Sequence, residues 1–198
     1  REHANPRVKG SFETEYTKPP ESVPTALNFA ESGEDFATGE LDGVVVGEDG
    51  LELEEEDTFA KLDDPSSLPP GTGWGCAFDP TGTYLAVAHG SSPFITIYRR
   101  NGETFTKLTD PATLPTGFGY GCAFDPTGTY LAVAHTNSPY ITIYKRSGDT
   151  FTKVANPATL PTDEGRGCAF DPTGTYLAVA HRNSPYVTIY KRSGDTFT

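Results

Sequence analysis

The sequence predicts an all-β fold, a β-propeller of four-stranded antiparallel blades. Three observations predict it. A stretch of 32 residues at Gly121–Thr152 recurs at Gly75–Thr106 and at Gly167–Thr198, a period of 46 residues. The second and third copies match at 30 of 32 positions and the first and second at 26 of 32. Each copy divides into short β-branched and aromatic runs punctuated by turn residues. A period in the forties marks one supersecondary unit that buries its faces only by stacking on its neighbours.

Within the first copy, strand A is GCAF (Gly75–Phe78), followed by Asp79-Pro80-Thr81-Gly82. Asp first, Pro with its fixed φ second and Gly last is the composition of a type I turn. Strand B, YLAVAH (Tyr84–His89), is apolar on both faces, as a strand covered on both sides must be. Strand C, FITIYR (Phe94–Arg99), runs into the hairpin signal Asn101-Gly102, repeated as Ser147-Gly148 and Ser193-Gly194. Strand D, TFTKL (Thr104–Leu108), is more polar and therefore outermost. The connection Asp110–Pro115 has the composition of one helical turn, with Asp capping and Pro at the first position. A β-solenoid is the structural competitor, but its units are usually shorter.

The regular pattern begins near residue 58, giving three clear blades over residues 58–198. Residues 1–25, with Pro6, Pro19, Pro20 and Pro24, read as an extended arm. Residues 26–57 read as a diverged blade or a separate β-hairpin element, with Val44–Val46 and Leu51–Leu53 flanking Gly47–Gly50. Three blades fall short of the four to eight that close a propeller. The last copy stops inside strand D, so the natural polypeptide is expected to run on through more blades.

The net charge of −12 sits in the leading segment: residues 1–57 carry sixteen acidic and four basic side chains, and the rest balance. Nucleic acid is not an expected partner, since phosphate binding needs a basic footprint. No apolar run approaches the roughly 18 residues of a membrane-spanning helix. Cys76, Cys122 and Cys168 lie 46 apart. Stacked sheets hold equivalent positions about 10 Å apart, beyond disulfide reach, so they read as small buried thiols.

No catalytic motif is present, and no cofactor or metal is implied. His89, His135 and His181 close strand B in each copy and read as blade-packing residues rather than a metal ring. The Asp of each DPTG turn reads as a turn residue. Near-identical blades repeat one group, whereas catalysis needs unlike groups meeting asymmetrically; this argues against an enzyme. What varies between copies is Thr72/Phe118/Glu164, Trp74/Tyr120/Arg166 and Gly90/Thr136/Arg182, in the D–A and B–C connections at one rim. Trp74, Phe118, Tyr120, Arg166 and Arg182 are the candidate binding residues, being types enriched at hot spots. The competing reading is drift in exposed loops.

The string FDPTGTYLAVAH with SPYITIYKRSGDTFT resembles WD-type propeller repeats, with Tyr144-Lys145 and Tyr98-Arg99 where the Trp-Asp pair would stand. More narrowly, it is similar to near-identical propeller repeats in structural proteins of tailed viruses of bacteria and archaea. That resemblance implies a non-enzymatic virion component of a tail or capsid-associated fibre. Residues 1–57 would dock on other virion proteins, and the rim would meet a host-surface ligand or neighbouring subunits, as a homo-oligomer within the particle. A cellular scaffold or surface adhesin, outside any virus, is the alternative. A propeller hydrolase or lactonase would need a central metal held by unlike acidic and amide side chains, which these copies do not supply.

Overall fold

The computed structural model describes residues 40–41, 44–47, 50–52 and 59–198. Two compact units divide it, one up to Phe59 and one over Ala60–Thr198. In the first, β1 (Glu40–Leu41), β2 (Val44–Gly47) and β3 (Gly50–Glu52) form a three-stranded antiparallel meander. The extended arm expected over residues 1–25 lies outside the described residues, as does most of the remaining segment to residue 57.

The second unit consists of three four-stranded antiparallel meanders in chain order. Blade 1 holds β4 (Gly73–Phe78), β5 (Tyr84–His89), β6 (Ile95–Asn101) and β7 (Thr104–Lys107). Blade 2 holds β8 (Gly119–Phe124), β9 (Tyr130–His135), β10 (Ile141–Ser147) and β11 (Thr150–Lys153). Blade 3 holds β12 (Gly165–Phe170), β13 (Tyr176–His181), β14 (Val187–Ser193) and β15 (Thr196–Phe197). This is the propeller architecture that the period of 46 implies, in the form of an incomplete ring. Strand B lies where the sequence puts it, while strand A starts two residues earlier and strand C runs two residues further.

The two-residue period of a strand explains the stacking. Along β9, Leu131, Val133 and His135 face blade 1, while Tyr130, Ala132 and Ala134 face blade 3. Tyr84, Ala86, Ala88, Ile95 and Ile97 of blade 1 pack against Leu131, Val133, Tyr144 and Phe151 of blade 2. The same set, 46 residues on, seals blade 2 against blade 3. Small Ala on one face opposite Leu and Val on the other lets the sheets interdigitate without voids.

The first strands of successive blades lie side by side at the inner edge, β4 on β8 and β8 on β12. Glycine makes that approach feasible: a Cβ at Gly75 would sit 2.8 Å from the Tyr120 carbonyl oxygen, and one at Gly121 3.1 Å from the Gly167 Cα. In each A–B turn the aspartate organises the loop. Asp125 Oδ1 accepts the Tyr130 amide at 2.8 Å, its Oδ2 accepts the Thr127 hydroxyl at 2.7 Å, and its carbonyl accepts the Gly128 amide. Gly128 takes φ of 67°, as the turn composition requires.

The expected helical turn at Asp110–Pro115 is not formed; the connection is irregular. Pro115 disfavours helical backbone at Leu114. The Thr113 carbonyl, which a helix would use, instead accepts the Tyr144 hydroxyl at 2.8 Å. Tyr98 does the same with Ser67 and Tyr190 with Thr159.

His89, His135 and His181 each place Nε2 near a threonine of strand C, Thr96, Thr142 and Thr188, at 2.9, 2.9 and 3.1 Å. The Nδ1 atoms of His89 and His135 are buried without a partner. No group of three or more His, Cys, Asp or Glu side chains able to hold a metal occurs among the described residues. The three cysteines are free, and they are not uniformly buried as expected. Burial raises the Cys122 thiol pKa and pushes that of Cys168 up to about 12, while Cys76 is exposed, no blade among the described residues lying against that side of β4.

Two outcomes follow for stability. Replacing Gly119 with Ala places a Cβ against the Phe94 carbonyl oxygen and 3.1 Å from the Ala88 Cβ. Both are held by backbone, so thermal unfolding should show a loss of roughly 2 kcal/mol, or about 4–8 °C in Tm; an unchanged Tm would show that the blades yield there. Burial lowers the His135 pKa from 6.5 to about 4, and burial also lowers that of His89. The unfolded chain then binds the extra protons below pH 6.5, so stability is full above 6.5 and falls towards pH 4. Melting between pH 7 and 5 should fall by up to about 1.4 kcal/mol per histidine per pH unit, and His135→Gln should flatten the slope.

Candidate functional site

The variable position of strand A is a β-bulge in every blade. Gly73 pairs with His89 and Gly75 with Ala88, which leaves Trp74 without a partner. Tyr120 and Arg166 are stranded in the same way between Gly119 and Gly121 and between Gly165 and Gly167. A bulge inserts a residue, breaks the ladder locally and re-aims its side chain. Flanking glycines let the inner strands crowd together around it. The pattern Gly-x-Gly, with x as Trp, Tyr and Arg, is the sequence signal for the bulge; variation between the copies points to these residues as rim binding candidates but not to the bulge.

The bulged side chains meet across blade boundaries. The Trp74 and Tyr120 rings lie edge to face, with centroids 4.8 Å apart and planes at 77°. The Arg166 guanidinium stacks over the other end of the row, its Cζ 4.3 Å from the Tyr120 ring centroid. Such a stack at an exposed site is worth roughly 0.5–1 kcal/mol, enough to order the side chains and little enough to be rearranged by a ligand. Glu164, which the sequence marked as variable but did not select, ties in the remaining charge. Its Oε2 accepts from Arg166 Nη2 at 2.6 Å, and Arg182 Nη1 lies 3.8 Å from its Oε1.

The B–C connections complete the rim. The amides of Gly90, Thr136 and Arg182 donate to the carbonyls of Thr72, Phe118 and Glu164, so the two variable loops are joined in each blade. Gly90 and Trp74 fit as a pair, since a Cβ at Gly90 would press to 3.2 Å on the indole Nε1. Of the five residues selected from sequence, Trp74, Tyr120 and Arg166 form one row and Arg182 joins it through Glu164. Phe118 stands apart, packed on Phe94 with centroids 6.0 Å apart. The row is accessible, with Trp74 53% exposed.

No family model matches the chain, and no curated protein matches it in sequence. Solved structures do share its fold. A protein of Bacteroides fragilis assigned as a 6-phosphogluconolactonase aligns at 20% identity with a TM-score of 0.56, over 67% of this chain and 38% of that one. One from Bacteroides uniformis with the same assignment aligns at 18% and 0.60, over 78% and 52%. Sqt1 of Saccharomyces cerevisiae aligns at 13% and 0.54, over 65% and 34%. The chain therefore spans between about a third and a half of the structures it resembles. Likeness at this level carries the fold.

The expectation of a non-enzymatic virion component is corrected by these findings. The structural similarity runs to propellers assigned as lactonases, and nothing found gives the narrower viral resemblance support. The physical argument against catalysis also fails at the rim. Near-identical blades do repeat their turns and cores, but the bulges bring an indole, a phenol and a guanidinium together, and the adjoining connections add Glu164 and Arg182 on the same surface.

Trp74 is the only tryptophan of the chain, so its fluorescence reports on the row alone. Tyr120→Ala should shift the emission by removing the ring that packs edge to face on the indole, and Arg166→Ala, which of the two rings touches only Tyr120, should shift it less. Emission unchanged by both substitutions would show that the row is not formed in solution.

Proposed function

We propose that this chain is part of a propeller hydrolase that opens the ring of an anionic sugar lactone. The observation that carries this reading is the row Trp74–Tyr120–Arg166 with Glu164 and Arg182 beside it. Aromatic faces suit the C–H surfaces of a sugar ring, and a guanidinium suits a phosphate or carboxylate. The lactonase assignment of the two Bacteroides structures supplies the reaction class, and 6-phosphogluconolactone is the corresponding substrate.

Glu164 is engaged by Arg166 in the free protein. A substrate anion that takes over Arg166 releases the carboxylate, so binding itself prepares the base. Glu164 then accepts a proton from water as the water oxygen adds to the lactone carbonyl carbon. Arg182 stabilises the resulting oxyanion. The ring C–O bond breaks, and the departing ring oxygen takes the proton back from Glu164, giving the open hydroxy acid. Water is the only co-reactant.

Hydrolysis of 6-phosphogluconolactone followed by acid release tests this. Glu164→Gln should lower kcat by a hundredfold or more. Arg166→Ala should raise KM about tenfold with a smaller effect on kcat, because it holds the anion in both ground and transition states. Wild-type turnover no faster than spontaneous ring opening would overturn the proposal.

A further inference from the structure

The variation between copies at the rim is fitted in pairs, a D–A residue to a B–C residue in each blade. Gly90 makes room for Trp74, and Arg182 reaches the carboxylate of Glu164. In blade 2 the pair is Phe118 and Thr136. The Phe118 amide donates to Thr136 Oγ1 at 3.0 Å, and the Thr136 amide donates to the Phe118 carbonyl at 3.1 Å. Both polar groups of the Phe118 backbone are thus clamped, yet the residue is 48% exposed. Holding an aromatic ring half in water adds little to the fold, and drift in a loop would not supply a clamp for it. The effect is an aromatic face set in place before any ligand arrives.

That face lies beside the row. Phe118 is two residues from Tyr120, at most about 7 Å along an extended chain, and the Phe94 carbonyl oxygen sits against Gly119 between them. The Phe94 and Phe118 rings are tilted by 57° to each other. The surroundings are neutral and polar. Residues 70–76, 90–94, 115–121 and 136–140 contain no Asp, Glu, Lys, Arg or His. Thr116 Oγ1 donates to the Ser138 carbonyl at 2.8 Å, and Asn137 Nδ2 donates to the Thr116 carbonyl at 2.8 Å, so both exposed side chains are held. Among the described residues, Asn137 Oδ1 accepts no hydrogen bond and the Thr136 hydroxyl donates none. Blade 1 has Pro70 and Gly90 at the positions of Thr116 and Thr136, and blade 3 has Glu164 at that of Phe118.

We propose, resting on the lactone reading of the row, that the substrate carries a second, uncharged sugar unit and that this unit stacks on Phe118 and Phe94. The chemistry of the patch selects a sugar. An aromatic face suits its C–H surface, while the amide and hydroxyls alongside suit its hydroxyl groups. A plain apolar substituent would take water from those polar groups and give nothing back, and a second anion would find no cation here. The anionic lactone ring lies towards Arg166 and Arg182 and the neutral ring towards Phe118, so the rim tells the two ends of the ligand apart.

Isothermal titration of the 198-residue chain with glucose 6-phosphate and with its 2-, 3- and 4-O-glucosyl derivatives tests this. All four ligands keep the anion and leave free the carbon that is the carbonyl of the lactone. At least one glucosyl derivative should bind about fivefold more tightly than glucose 6-phosphate, the scale of one aromatic stack. Phe118→Thr, which copies Thr72 of blade 1, should remove that advantage, and Phe118→Tyr, which keeps the aromatic face, should retain it. No advantage for any derivative, or one that survives Phe118→Thr, would overturn the second sugar unit. Glucose 6-phosphate binding that is weakened by Arg166→Ala would in that case leave the lactone reading standing. Glucose 6-phosphate without measurable affinity, or held equally well by Arg166→Ala, would overturn both.

Discussion

Burial of one blade face by the next is the constraint on which this structure depends. A single four-stranded meander with apolar residues on both sides cannot shed water alone. The alternation in Tyr-Leu-Ala-Val-Ala-His supplies two unlike faces from one strand, a flat one of alanines and a ridged one of leucine and valine. Each fits only the other kind, so the blades stack in one direction. The polar frame follows the same order: Tyr and Lys or Arg of one blade close on the acid of the next, and an arginine of that next blade lies on the tyrosine.

That frame leaves the inner end of strand A free to differ. The bulge takes one residue out of the ladder in each blade, and the ladder resumes unaffected after the glycine that follows. A position so decoupled from the core tolerates Trp, Tyr or Arg at little cost to folding. Gly90 beside Trp74 shows that the substitutions are nonetheless fitted to one another. The rim can thus carry chemistry while the blade beneath it stays constant.

Much of the fold was legible in the sequence, because its information is local. The period of 46, the Asp-Pro-Thr-Gly turn and the alternation in strand B each depend on neighbouring residues, and strand B matches its expected bounds. The helical turn at Asp110–Pro115 failed because its carbonyl is claimed by Tyr144, a residue 31 positions away. At the site, variation at residues 74, 120 and 166 was visible, but not that the three touch, since that requires the blades to be stacked. Glu164 was overlooked for another reason: its partners are Arg166, two residues on, and Arg182, which the B–C connection of the same blade brings back beside it. Phe118 shows the opposite limit, a variable aromatic whose neighbour is another aromatic of the preceding blade and not the row.

The account rests on the rim row being where a ligand is received. Backbone hydrogen exchange with and without gluconate 6-phosphate, the open-chain product of the proposed reaction, tests that most directly. Slowed exchange confined to residues 72–75, 118–121, 164–167 and the loop at Arg182 is the predicted result. Protection spread along the outer strands, or none at saturating ligand, would contradict it.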